Sequence, residues 1–393
     1  MLAEIKNKVK EISEELVSWR RDFHRHPELG FEELRTSAVI REFLESLGLQ
    51  VQACAKTGLR AVLAGKPGGQ TVALRADMDA LPLEEQGDKE YISQNPGITH
   101  ACGHDGHMAI IMGAAKILSQ MKDRFSGKVV FLFQPSEERI PGGAKLMIEE
   151  GALEGVDAIF GLHLWQNLAT GIVGVVKGPM MAQPDAFSIT IKGKGGHGSM
   201  PQQTVDPILV ASQLVVNVQS IVSRSIDPLK PVVVSFGTIK GGTIYNIIPE
   251  KVTLTGTVRS FDADVQKLTE QRLREITQKT CETYGATAEF KYDIGYASLI
   301  NDAGMVDFIE KITAKTLGKE RIKHIEPVMG GEDFAYYLKK VPGAFLFFGM
   351  GDGTQYPHHH PGFDIDEKAL PEAAYLMTAL ALEGSSRLDH SGI

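Results

Sequence analysis

Apolar residues recur at spacings of three and four from the start of the chain. Ile5, Val9, Ile12, Leu16, Trp19 and Phe23 form one face, which predicts a long opening helix. Short β-rich runs follow at 60–65 (RAVLAG), 71–76 (TVALRA), 128–133 (KVVFLF) and 157–163 (DAIFGLH), with helical patterns at 105–122 and 143–151 between them. Continuous apolar strands alternating with helices predict an α/β unit whose mostly parallel sheet is covered on both faces.

After KGPMMAQPD the pattern changes. AFSITIKGKG (186–195) alternates like a half-exposed strand, and a helix follows at about 205–223. PVVVSFGTIKGG and KVTLTGTVRSFD read as strands, followed by a helix at about 264–284 and the strand TAEFKYDI. This β-α-β-β-α-β order is that of a ferredoxin-like split unit. It predicts an α+β domain over 183–294, inserted into a discontinuous α/β/α domain of 1–182 and 295–393. The returning part carries helices at 302–317 and 332–340, the strand 343–350 and a final helix from about 367.

Composition narrows the function. The chain has 393 residues, more than one core usually supports, with 41 Lys and Arg against 49 Asp and Glu and a net charge of -8. That balance argues against a nucleic-acid partner and suits an enzyme of small solutes. No stretch approaches the roughly 18 apolar residues of a membrane span. The charged start lacks the apolar core of a signal peptide. Cys54, Cys102 and Cys281 are too few and too scattered for a disulfide framework, so the cytoplasm is the expected compartment.

The candidate chemistry centres on ITHACGHDGHMA (98–109), with Cys102, His104 and His107 in C-x-H-x-x-H spacing and His100 just upstream. A zinc knuckle would need a second pair of ligands nearby, and a redox thiol would need a C-x-x-C partner; neither exists. In α/β sheets, ligands gather beyond the carboxyl ends of the strands. Four such ends carry metal-competent residues: Asp77 and Asp79, Glu137 and Glu138, His163, and the triplet His358, His359 and His360. Each taken alone also fits a packed turn or a solvated face. Their coincidence at one rim favours a metal site.

The motifs RRDFHRHPELGFEE, RADMDALP, HACGHDGH, FQPSEE, GLH, GGHGSMP, DP, NIIPE, GTVRSFD, GGEDF and HHPGFDIDE occur in one order along nearly the whole chain. The sequence thereby resembles the aminoacylase/carboxypeptidase family of two-metal amidohydrolases, in the branch of hippurate hydrolases, N-acyl-L-amino-acid amidohydrolases and indole-acetyl-amino-acid hydrolases. The resemblance implies two divalent ions held by Cys102, His104, Glu138, His163 and His359. H-x-P-x-F alignment selects His359 from the triplet. A thiolate, imidazole and carboxylate set suits zinc, manganese or cobalt, with softness tilting toward zinc. Asp77 and Asp79 then orient ligating imidazoles, and His107 either supports the ligands from behind or packs beside them rather than joining them. In the wider family an Asp bridges and a histidine stands where Asp77 stands, so the ligand count per metal is left open here.

The resemblance further implies hydrolysis of an N-acyl L-amino acid to a carboxylic acid and a free amino acid, by a water that the metal pair activates. Glu137 is the expected general base and His197 an oxyanion donor, often reaching a neighbouring subunit. Asn246 and Arg259 are candidates for the substrate carboxylate, and Gly330 and Gly331 for the pocket wall. Gln202 departs from a histidine that many relatives carry after SMP, which affects a secondary substrate contact. The inserted domain is expected to act as a lid and to build a homodimer or homotetramer. The rival readings are a carboxypeptidase or dipeptidase at the same site, and a non-catalytic metal- or amino-acid-binding protein; loss of Glu137 or a ligand would mark the latter, and none is lost.

Overall fold

The computed structural model describes residues 1–351 and 353–386. The chain divides into two compact units. One holds Met1–Met180, Ile300–Glu326 and the chain from Asp333 onward; the other holds Met181–Leu299 and Pro327–Glu332.

The first unit is built on an eight-stranded sheet. Its order is Gln50–Cys54, Gly58–Ala64, Ser126–Gln134, Lys66–Asp77, Ala158–Ala169, Gly343–Gly351, Val173–Val175 and Ile322–His324. The four central strands, from Ser126–Gln134 to Gly343–Gly351, run parallel. Gly343–Gly351 is buried at every position, as expected of a strand covered on both faces. The helix His104–Ser119 is buried on nearly every side, packed against Ala369–Ser386 and Ser13–Arg25.

Four elements differ from the sequence pattern. The opening helix is two, Leu2–Glu11 and Ser13–Arg25, which share one buried face through Ile5, Val9, Ile12 and Leu16. At the junction the Ser13 hydroxyl donates to Lys10 O at 2.9 Å, a side-chain bond that competes with the helix ladder. The helix Leu34–Ser46 and the edge strand Gln50–Cys54 have no counterpart among the predicted elements. The helix expected over 332–340 is a single turn, Ala335–Leu338.

The second unit has a four-stranded antiparallel sheet in the order Val232–Gly241, Lys251–Ser260, Gln183–Lys192, Thr287–Asp293. In chain order the strands lie 2-3-1-4, the ferredoxin-like arrangement. The helices Pro207–Ser220 and Ala263–Thr283 share its core through Val210, Leu214, Val218 and Leu273. Asp206 and Asp262 cap them by accepting backbone N–H bonds. Pro327–Glu332 joins this unit because Ala182 N donates to Val328 O and Gly330 O. Among the described residues no helix is long and apolar enough to cross a membrane.

Candidate metal centre

The site grows from the way the parallel strands end. Lys66–Asp77 stops at Asp77, and Asp79 lies just beyond it. The Asp79 carboxylate accepts the backbone N–H of Glu137 at 2.9 Å on one oxygen and that of Glu138 at 3.0 Å on the other. One carboxylate thus fixes the turn that carries both glutamates. From the other side, Glu33 accepts Ser136 N at 2.9 Å and the Thr57 hydroxyl at 2.6 Å. Ser136 is held at φ 51°, a left-handed conformation that costs a non-glycine residue about 1–3 kcal/mol.

Cys102 and His104 flank Gly103, whose φ of 90° turns the chain into the helix His104–Ser119. His104 Nδ1 donates to Asp79 O at 2.8 Å, leaving Nε2 as the nitrogen turned toward the carboxylates, 3.7 Å from Asp77 and 4.0 Å from Glu138. His163 Nδ1 donates to Leu164 O at 2.8 Å, and its Nε2 lies 3.4 Å from Cys102 Sγ. His163 does not end its strand as expected. Ala158–Ala169 runs on because Trp165 and Ala169 pair with Gly349 and Gly351.

The histidine triplet divides its work. His358 Nε2 donates to Leu164 O at 2.9 Å, and its ring lies against Trp165. His360 stacks on Tyr356 and accepts Gly362 N at 3.0 Å. Only His359 of the three meets the cluster: its Nε2 lies 3.2 Å from Glu138 Oε1, and its backbone, at φ 64°, donates to Ala101 O.

Cys102, His104 and His163 therefore place three donor atoms within 4.8 Å of one another, and so do Cys102, Glu138 and His359. Cys102 belongs to both groups. Glu137 joins His104 and Glu138 in a third. His107 also lies near Asp77 and His104 but has no free nitrogen: Nε2 accepts Leu164 N at 2.9 Å and Nδ1 donates to Asp77 Oδ1 at 2.6 Å. His100 is buried outside these groups, with neither ring nitrogen hydrogen-bonded.

The electrostatics match a cation's place. Burial and the Glu138 and Glu137 carboxylates push the Cys102 thiol well above its usual range. Burial opposes charge on His104 also, yet Asp77, Asp79 and Glu138 raise it to about 10. Despite burial, His359 and His104 hold Glu138 below the ordinary carboxylate range. Two buried atoms aimed into the cluster, His104 Nε2 and Glu138 Oε1, are left without a hydrogen-bond partner, His359 Nε2 approaching the second as an ion pair at 3.2 Å. Buried polar atoms left in this state call for a partner, and a divalent cation fits a donor set of thiol, imidazole and carboxylate.

The remaining candidates lie in the second unit. His197 is exposed; its Nδ1 accepts Ser199 N at 3.1 Å, so Nε2 carries the proton and is the donor nitrogen. Asn246 is beside it, its carbonyl accepting Gly198 N at 2.8 Å while Ile247 pairs with His197. Arg259 is half-buried and turns Nη1 to Val258 O and the Thr257 hydroxyl. Gly331 is a packing requirement, since a Cβ there would meet Pro184 Cγ at 2.5 Å; one on Gly330 would lie 3.4 Å from Met181.

Sequence reasoning missed Arg75, Gln134 and Asp333. Arg75 and Asp333 are buried together, with Arg75 Nη2 donating to Asp333 Oδ1 at 2.9 Å. The available signal was an arginine inside the apolar run TVALRAD.

The model of the peptidase family M20/M25/M40 matches residues 73–383. An N-acyl-L-amino acid amidohydrolase of Geobacillus stearothermophilus is 48% identical over 299 residues, covering 76% of this chain and 81% of that one. Thermostable carboxypeptidase 2 of Saccharolobus solfataricus is 41% identical over 397 residues, covering 98% and 100%. The crystal structure of the Bacillus subtilis YXEP protein, described as a dinuclear metal-binding peptidase of family M20, superposes with a TM-score of 0.84 at 37% identity, covering 96% and 100%. The chain belongs to the peptidase family M20/M25/M40 and is a hydrolase.

Proposed function

We propose that this enzyme hydrolyses the amide bond of N-acyl L-amino acids, such as N-acetyl or N-benzoyl derivatives, to a carboxylic acid and a free amino acid. The carrying observation is the meeting of Cys102, His104, Glu138, His163 and His359 from four chain segments in two three-donor groups that share Cys102. These five would hold two divalent ions, zinc ahead of manganese or cobalt because of the thiolate. Such a pair supplies Lewis acidity toward the scissile carbonyl and lowers the pKa of water.

The chain's own groups do the rest. Glu137, buried beside Glu138 and fixed through its backbone by Asp79, takes the proton of the attacking water and delivers it to the leaving amine. His197 Nε2–H is the donor assigned to the developing oxyanion. Asn246 and Arg259 are assigned to the free carboxylate of the substrate, with Gly330 and Gly331 on the adjoining segment.

A homodimer or homotetramer through the inserted unit completes the proposal. Val232–Gly241 is an edge strand, and Leu209, Val216, Ile239 and Leu229 of the same unit are exposed. Three unpaired buried cysteines suit a reducing cytoplasm. A carboxypeptidase or dipeptidase is the second reading, favoured by the carboxypeptidase relative at 41% identity.

The test measures free amino acid released from N-acetyl- and N-benzoyl-amino acids and from dipeptides, before chelation, after it and after metal return. Chelator-sensitive cleavage of the acylated substrates supports the proposal. Preference for dipeptides transfers it to the second reading. Inactivity of fully metallated protein on every substrate would count for a binding protein. In mixed dimers, His197→Ala and Glu137→Gln subunits should restore partial activity if His197 serves the partner's site.

A further inference from the structure

The strand Ala158–Ala169 outruns its parallel neighbour. Pairing with Lys66–Asp77 stops at Arg75 opposite Gly161, so Leu164 has peptide groups with no strand on that side. Buried N–H and C=O groups must find partners. Here histidines supply them: Leu164 N donates to His107 Nε2, while Leu164 O accepts from His163 Nδ1 and His358 Nε2.

We propose that His107, Asp77, Arg75 and Asp333 form one line of positioning residues that fixes the Leu164 peptide and thereby aims His163 Nε2 at the metal centre. The inference rests on the reading of His163 as a ligand. Because Leu164 N–H occupies Nε2, the His107 proton is on Nδ1, where it is donated to Asp77 Oδ1 at 2.6 Å. Asp77 Oδ2 accepts Arg75 Nη1 at 2.6 Å. The planar guanidinium continues to Asp333 Oδ1 at 2.9 Å and, through Nε, to Gln134 Oε1 at 2.9 Å. Asp333 is anchored in turn by Gln134 Nε2 and by Ala144 N at 3.0 Å.

Every side chain of the line is buried, so water cannot replace a missing member without cost. A fork of fixed geometry between two carboxylates is a use that lysine reproduces only in part. The line also keeps His107 from acting as a ligand, although it lies among the donors. Asp333, its far end, is the residue at which the chain re-enters the first unit after Pro327–Glu332.

The test reads metal affinity by competition of the apo-protein with a chromophoric chelator, titrating zinc and cobalt. His107→Phe, which keeps the ring volume, should weaken one of the two metal sites about 10–100-fold, as loss of partners behind ligands does. Asp333→Asn, at the far end of the line and outside the five proposed ligands, should weaken the same site by less, and Arg75→Lys should fall between wild type and Arg75→Met. A merely structural role would lower melting temperatures without selecting one site. Unchanged affinities in folded variants would overturn the proposal.

Histidine-ring ¹⁵N spectra of the wild-type protein provide a check independent of variant folding. His107 should be the Nδ1–H tautomer and stay so when zinc is added; metallation of His107 would overturn the line. If the wild-type protein binds no divalent ion in the same titration, the metal reading itself falls, and the line with it.

Discussion

The donor cluster around Cys102 and the His197 loop, both proposed to carry chemistry, hold their residues in opposite ways. Around the cluster every candidate ligand except His359 is largely buried, and the residues are cross-bonded over long sequence separations, as between Cys102 and His163, 61 residues apart, or Glu137 and Asp79, 58 apart. His197 is exposed, and its ring is held by Ser199, two residues away. Buried, mutually bonded groups keep their geometry through packing, whereas an exposed ring on a local turn keeps only its tautomer. The first region should therefore report damage in metal content and stability. The second should report it in rate alone.

Four substitutions would break or sharpen that contrast. Cys102→Ala removes the sulfur common to both donor groups and should lower metal content and turnover together; elemental analysis finding two ions per chain would take Cys102 out of the ligand set. Glu137→Gln should keep its metal and lose about 10²–10⁴-fold in kcat. Metal loss there instead would exchange its role with that of Glu138. His197→Ala should cost roughly 10²–10³ in kcat, the price of one oxyanion donor, with metal content and melting temperature unchanged. A shifted melting curve would erase the distinction between the two regions.

The smallest effect concerns pH. Burial lifts the Glu33 carboxyl from the ordinary 4.5 to about 7. Between those values the folded state holds a proton that the unfolded state has released, so this residue's contribution to stability falls as pH rises through that window. Below the window both states are protonated, and the contribution is constant. Glu33→Gln should flatten the melting-temperature profile from about pH 4.5 to 7 without removing metal, because the amide can still accept from Ser136 N. A profile parallel to that of the wild type would assign the pH dependence elsewhere.

Legibility in the sequence followed the same division. Period and run length sufficed for the central strands and for His104–Ser119, since residues buried on both sides of a sheet have no polar alternation to confuse. They missed Leu34–Ser46, where Thr36, Ile40 and Leu44 mark a buried stripe four residues apart but polar neighbours dilute it. They also merged Leu2–Glu11 with Ser13–Arg25, because the buried face continues across Ile12 while the backbone does not. The long Gly-rich and Pro-rich segments around the metal site are not periodic at all. There residue type and strand-end position yielded candidates only, and the expected ligand set came from the family resemblance.

What the amino-acid sequence determined by itself was therefore the α/β frame, the ferredoxin-like unit and the identity of the metal-competent side chains. All three are written in local order: apolar period, strand-end position and motif. The tertiary structure alone decided which nitrogen of each histidine is free. His104, His163 and His359 present Nε2 to the cluster, while His107 and His358 use theirs on Leu164. It alone also brought Arg75 to Asp333, 258 residues away. Ring tautomers and buried ion pairs are set by whichever donor or acceptor the folded chain places opposite them, and no spacing along the chain encodes that choice.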